Sequence, residues 1–144
     1  MTRDIFVFGS NLAGRHGGGA AKFAREKHGA IYGQGIGLQG NSYGIPTKDF
    51  RVETLPLDHI VVHVAEFIQY AETRPDLTFY VTPIGCGLAG YKRRQIRPFF
   101  EKMPANCRFA ETWDEVDETP GGNRKGASEG SGEGSRAPDY RHHR

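Results

Sequence analysis

The chain has little cysteine, no long apolar run and no phosphate-loop consensus, and each shortage removes a class of protein. Cys86 and Cys107 are the only cysteines. They are too few for a disulfide framework and their spacing fits no zinc pattern, so reduced thiols and a cytoplasmic setting are expected. No stretch approaches the roughly 18 apolar residues of a membrane span. Met1-Thr2-Arg3-Asp4 runs straight into an apolar segment with no signal-peptide h-region, so no membrane partner is expected. A Gly-Lys-Ser/Thr loop is missing, and Gly17-Gly18-Gly19-Ala20-Ala21 lacks the G-x-G-x-x-G spacing, which ranks a Rossmann-like nucleotide binder last among the possible functions. Nothing in the sequence supports a metal site or calls for a cofactor, and no internal repeat is visible.

The apolar fraction of 37% and mean hydropathy of −0.58 are low for a fully folded chain of 144 residues. One domain with a real core is expected, with part of the chain outside it. Composition places the division after Trp113. Residues 1–113 carry a formal charge of +4, and 114–144 carry −2. From Gly121 onward the chain is rich in glycine, serine and charge, a composition that cannot offset its ordering entropy. A folded domain over 1–113 and a disordered tail over 114–144 are therefore expected, with no metal role for His142-His143. A modestly basic body suits an anionic ligand.

Two strand-loop-helix units carry the functional signal. Asp4-Ile5-Phe6-Val7-Phe8 reads as a strand buried on both faces. It is followed by the glycine-rich run from Gly9 to Gly19, and then by a helix over 20–28 with Ala20, Ala21, Phe23 and Ala24 inward and Gly29 as its stop. Leu77, Phe79 and Val81 alternate as a second buried strand. Thr82-Pro83-Ile84-Gly85-Cys86-Gly87-Leu88-Ala89-Gly90-Tyr91 follows, before a helix expected over 92–103 in which Pro98 marks a break. Glycines leave backbone amides uncovered, and amides beside a helix N-terminus seat phosphate oxygens. Each loop alone also fits a tight turn that needs glycine.

Between the units, Ala30-Ile31-Tyr32 fits a short strand. Residues 33–42 form a glycine-dense loop whose Ile36 and Leu38 meet something apolar, and 43–47 form a strand with Pro46 at its end or at a sheet edge. The i, i+3, i+4, i+7 spacing of Leu57, Ile60, Val61, Val64, Phe67, Ile68 and Ala71 predicts a core-packing helix over 55–74, closed by Pro75. His59 and His63 on it carry no chemistry. Cys107-Arg108-Phe109 fits a last edge strand. Strands alternating with helices imply a mixed or parallel sheet covered on both faces.

Taken together and in this order, three motifs resemble a known family. Gly17-Gly18-Gly19-Ala20-Ala21 opening a helix, with Asn11 eight residues before Gly19, resembles the first ligand loop of macrodomains. Ile84-Gly85-Cys86-Gly87-Leu88 resembles their phosphate-wrapping loop. Ile45-Pro46-Thr47-Lys48 is similar to the strand-end lysine motif of the branch holding terminal ADP-ribose hydrolases and antitoxins that strip ADP-ribose from DNA bases. The likeness covers roughly residues 5–109.

The resemblance implies an α/β fold, a three-layer α/β/α sandwich. It further implies that Asn11 bonds the distal ribose and that Gly17, Gly18 and Gly19 admit that ribose and the diphosphate. Gly85, Cys86, Gly87, Leu88, Ala89, Gly90 and Tyr91 would wrap the diphosphate. Lys48 would engage the anomeric carbon through its unprotonated amine. The implied partner is ADP-ribose, or DNA or protein carrying it, and a monomer is expected. Two positions depart from the family pattern. Ala89 stands where a lysine-using hydrolase of the branch has an aspartate, which the DNA-directed antitoxins also lack. The aspartate that reads the adenine amino group has no counterpart, Asp4 being the only nearby acid.

The residues themselves leave plainer roles open: a solvated or phosphate-pairing Lys48, an Asn11 that caps its own turn, and a Cys86 that only packs. The Lys92-Arg93-Arg94-Arg97 cluster fits nucleic-acid phosphates or a wet face. Two function classes follow: a hydrolase that removes ADP-ribose from nucleic acid or protein, or a binding module that senses or sequesters it.

Overall fold

Consecutive apolar residues at Ile5, Phe6, Val7 and Phe8 suit a strand with protein on both sides, and in the computed structural model, which describes residues 2–114, that strand is the middle of the sheet. Strands β1 (Arg3–Asn11), β2 (Gly37–Gln39), β3 (Ser42–Lys48), β4 (Leu77–Val81) and β5 (Cys107–Phe109) form one mixed sheet of order β2-β3-β1-β4-β5. β1 runs parallel to β3 and to β4, β4 runs parallel to β5, and β2 is antiparallel to β3. Helices α1 (Gly19–Lys27), α2 (Leu57–Glu72) and the one-turn α3 (Arg93–Ile96) connect them, with 3-10 turns at Arg97–Phe100 and Glu111–Asp114.

Alternate residues of β1 enter two separate core clusters, because successive side chains of a strand point to opposite faces. Phe6 and Phe8 pack with Ala21, Phe23 and Ala24 of α1. Ile5 and Val7 join Ile45, Phe79, Val81, Ile96, Phe100 and the buried stripe of α2, namely Ile60, Val64, Phe67 and Ala71. Most of the stability of such an amphipathic helix comes from packing rather than from propensity. Burial stabilises it here, each fully buried Ile, Val or Phe contributing roughly 1.5–3 kcal/mol. Trp113 closes the larger cluster, its indole N–H donating to the Val81 carbonyl at 2.6 Å.

Several expectations are met, and others are corrected. The Pro98 break is real: the helix expected over 92–103 is one α turn followed by a 3-10 turn. Ala30-Ile31-Tyr32 is not a strand. Ile31 and Tyr32 are 51% and 59% exposed, and the edge strand forms later, at Gly37–Gln39. Leu38 packs on the larger cluster while Ile36 stays exposed. Pro46 lies inside β3, but β2 pairs only with residues 42–44, so the strand has no partner on its outer side at Pro46. The tail expected over 114–144 lies, apart from Asp114, outside the described residues. Among those described, no helix is long and apolar enough to cross a membrane.

Two buried acids of the core set an alkaline limit. Burial pushes the Cys107 thiol up to about 12. Burial, then the Glu66 and Tyr70 charges, push the Tyr43 phenol up to about 12. Above the ordinary thiol value the unfolded chain loses protons that the folded chain keeps, so stability falls as pH rises. The decline is expected to begin near pH 9 through Cys107, to steepen near pH 10 through Tyr43, and to run to about 12. Denaturation midpoints measured across that range check it, and Cys107→Ala should move the onset from the thiol's ordinary range to the phenol's.

Candidate functional site

Connections leave the two central strands in opposite directions. From β1 the chain passes through α1, on the Phe6/Phe8 side, to β3 on one flank; from β4 it passes through α3, on the Val7 side, to β5 on the other. Right-handed crossovers force that split. Where neighbouring parallel strands diverge in this way, a crevice opens at their carboxyl ends, the usual ligand position of open α/β sheets. The loops lining it are 12–18 after β1 and 82–92 after β4, and they are the two glycine-rich runs.

At the base of the crevice the two backbones touch. A Cβ added at Gly9 would lie 3.3 Å from the Gly85 nitrogen. Higher up, a Cβ at Gly18 would sit 3.5 Å from Leu88 Cδ1, so the loop tips face each other, with Leu88 itself 72% exposed. Among the described residues, the amides of Gly17, Gly18, Gly87, Leu88 and Ala89 donate to no partner. Those of Gly90 and Tyr91 turn inward, to the carbonyls of Gly87 (3.0 Å) and Gly85 (2.8 Å), and close the second loop on itself. Gly85 holds φ +73° and Gly90 +94°, where a side chain would be strained. Helix α1 begins at the crevice with Gly18 as its cap, no side-chain cap bond and no acid in its first turn, which leaves its positive end open. The one-turn α3 adds little dipole. Its first amide positions are closed by Lys92 and Gln95, so the second loop depends on its own amides rather than on a helix.

Lys48 ends β3 in register with Asn11 at the end of β1 and is half-buried. Its chain then folds back: Thr54 bridges to Lys48, and its hydroxyl donates to the Ala89 carbonyl at 3.0 Å. Tyr91 Oη donates to the Leu55 carbonyl at 2.7 Å, and a Cβ at Gly85 would meet Thr47 Cγ2 at 3.5 Å. All three sequence motifs therefore converge on one end of the sheet. The side-chain amide of Asn11 is committed at both ends to Arg15, donating to its carbonyl at 2.8 Å and accepting its N–H at 2.9 Å. It holds the loop from within. Cys86 is half-buried with Sγ directed to the Ile84 carbonyl at 3.3 Å.

The basic cluster after the second loop is partly spent on packing. Arg93 Nε donates to the Thr112 carbonyl at 3.0 Å, and the Arg97 guanidinium lies 4.0 Å from the Phe109 ring centroid and 5.8 Å from that of Trp113.

A third loop carries a supporting role that has no motif. Residues 33–35 lie directly beneath the first loop: Gly33 N–H donates to the Gly14 carbonyl at 2.8 Å, and Ser10 Oγ donates to the Gly35 carbonyl. The fully buried His16 reaches the same segment through Nε2, to the Gln34 carbonyl at 2.9 Å and Gln39 Oε1 at 3.2 Å. A glycine-dense 33–40 was the only trace of this support in the sequence. Compared with family models, curated proteins and solved structures, the chain matches none of them.

Proposed function

We propose that this chain is a macrodomain-like three-layer α/β/α sandwich that binds ADP-ribose in the β1/β4 crevice and hydrolyses it from a modified nucleic acid or protein. The observation that carries the proposal is the meeting of two glycine loops, with five amides that have no partner among the described residues, beside the uncapped positive end of α1. Such a surface suits a diphosphate, which needs many donors and no bulk. Residues 9–19 and 82–92 contain no acid, and they include Arg15 and Lys92. In the catalytic version the Lys48 amine attacks the anomeric carbon of the distal ribose, the bond to the acceptor breaks, and the acceptor leaves with a proton. Water then releases ADP-ribose and restores the amine. No cofactor enters.

One observation favours the alternative, a binding module without turnover. Ala89 carries no side-chain acid, and its carbonyl is taken by Thr54, so the loop supplies no carboxylate as a second acid or base. Binding is common to both versions and is tested first. Titration calorimetry of ADP-ribose into the full chain, beside AMP and NAD, is expected to show binding of ADP-ribose. Absence of binding would overturn both versions.

A further inference from the structure

Directly after Lys48 the chain makes a tight turn whose purpose the crevice does not explain. Asp49 Oδ1 accepts the N–H groups of Arg51 (2.8 Å) and Glu53 (2.9 Å), Asp49 N–H donates to the Glu53 carbonyl (2.8 Å), and Val52 N–H donates to the Asp49 carbonyl (3.0 Å). The Glu53 amide, ahead of the Arg51 amide and the Arg51 charge, holds the Asp49 carboxyl below the usual carboxylate range. Val52 sits at φ +63°, the single positive-φ position among the described residues that is not glycine, and a β-branched residue there is strained. The turn is thus fixed at some cost, and at its tip it displays Phe50, 70% exposed, beside an exposed Arg51.

We infer that this turn is a stacking platform, on which Phe50 takes one unpaired base of a single-stranded nucleic acid and Arg51 meets the adjoining phosphate. The inference rests on the function proposed above and names the acceptor that the crevice serves. Size decides between a nucleic acid and a protein. Phe50 is the one large exposed apolar side chain of the turn, its chain neighbours Asp49, Arg51, Glu53 and Thr54 being polar and Val52 half-buried. One ring falls far short of the roughly 800 Å² that each side of a stable protein interface buries. One base needs only one aromatic face. A duplex is excluded because its bases are already stacked. Lys48, Asp49, Arg51 and Glu53 cancel in formal charge, so stacking rather than charge carries the contact, and the salt dependence should match about one phosphate.

The test uses the full chain and an unmodified single-stranded DNA of about ten nucleotides, a length within the usual site size of a stacking groove. Phe50→Ala is expected to weaken binding at least about tenfold, equivalent to about 1.4 kcal/mol, with an unchanged thermal midpoint because the ring is exposed. Phe50→Trp is expected to keep the affinity and to show quenching of the new, exposed indole, which the buried Trp113 would not report. Equal affinity for wild type and Phe50→Ala, no quenching, equal binding of the matching duplex, or a preference for an acidic peptide would each overturn the inference. The ADP-ribose titration separates the two levels. Oligonucleotide binding without ADP-ribose binding sinks the proposed function, and ADP-ribose binding without oligonucleotide binding sinks the platform.

Discussion

Replacing Gly35 with alanine is expected to destabilise the fold by about 3 kcal/mol and to lower the thermal midpoint by about 12 °C or more. A Cβ at that position would fall well inside 3.0 Å of the Asn11 carbonyl oxygen and 3.2 Å from the Leu12 carbonyl carbon. Both obstacles are backbone, at the end of the central strand where β1 and β3 shift register between Ser10 and Asn11. No side chain can swing away, so the first loop must move as a unit. The methyl group would restrict the unfolded chain and return about 0.4–1 kcal/mol, too little to compensate. Gly17→Ala is the control. Nothing lies within 4 Å of a Cβ there, and the stability change should stay within about 0.5 kcal/mol. The pair divides the glycines of this end of the molecule by purpose: Gly35 lets two protein segments touch, whereas Gly17 leaves room for something else. On that basis Gly17→Ala should weaken ADP-ribose binding at nearly constant stability, and differential scanning calorimetry with a parallel titration checks both halves.

How far the fold could be read from sequence depended on whether a segment's neighbours were local. The stripe Ile60, Val64, Phe67 and Ala71 marks a helix whatever it packs on, and the structure buries all four. Alternation at Leu77, Phe79 and Val81 marked β4 for the same reason. Ala30-Ile31-Tyr32 has equal β character and yet stays in a loop, because strand formation needs a partner. The Ile31 amide is instead held by Gln39 Oε1 at 2.7 Å. The edge strand formed at Gly37–Gln39, a stretch with weak β propensity, because Gln39, Leu38 and Gly37 pair with Ser42, Tyr43 and Gly44. Propensity yielded to pairing.

The candidate site divides in the same way. The glycine loops announce themselves by composition, and the order of elements carries them to the carboxyl ends of neighbouring strands. The links that join them to Lys48 have no sequence signature. The bond from Thr54 to Ala89 spans 35 residues and that from Tyr91 to Leu55 spans 36. Each depends on the β3–β1–β4 order, which no single segment encodes. The turn at Asp49, closed by its carboxylate on its own downstream amides, had no reading in the sequence. The exposure of Phe50 was a property of the folded end alone.

Lys48→Ala is expected to separate a hydrolase from a binding module by the widest margin of any single change. If the amine is the nucleophile, its removal should lower turnover of ADP-ribosylated DNA or protein by about a thousandfold or more. The affinity for free ADP-ribose should stay within a few fold, because in the proposed binding mode loop amides rather than this side chain hold the diphosphate. The fold should tolerate the change. Lys48 contributes to the strand end through its carbonyl, which accepts the Leu12 N–H at 2.9 Å, and alanine retains that group. Lys48→Arg refines the result, since it keeps the positive charge but offers no nucleophilic amine at neutral pH. Turnover lost in both variants assigns the residue to covalent chemistry. Turnover kept in Lys48→Arg makes it a fixed charge beside the phosphates. Strong ADP-ribose binding with no turnover even by the unaltered chain would give the site to recognition alone, the outcome that the missing carboxylate at Ala89 favours.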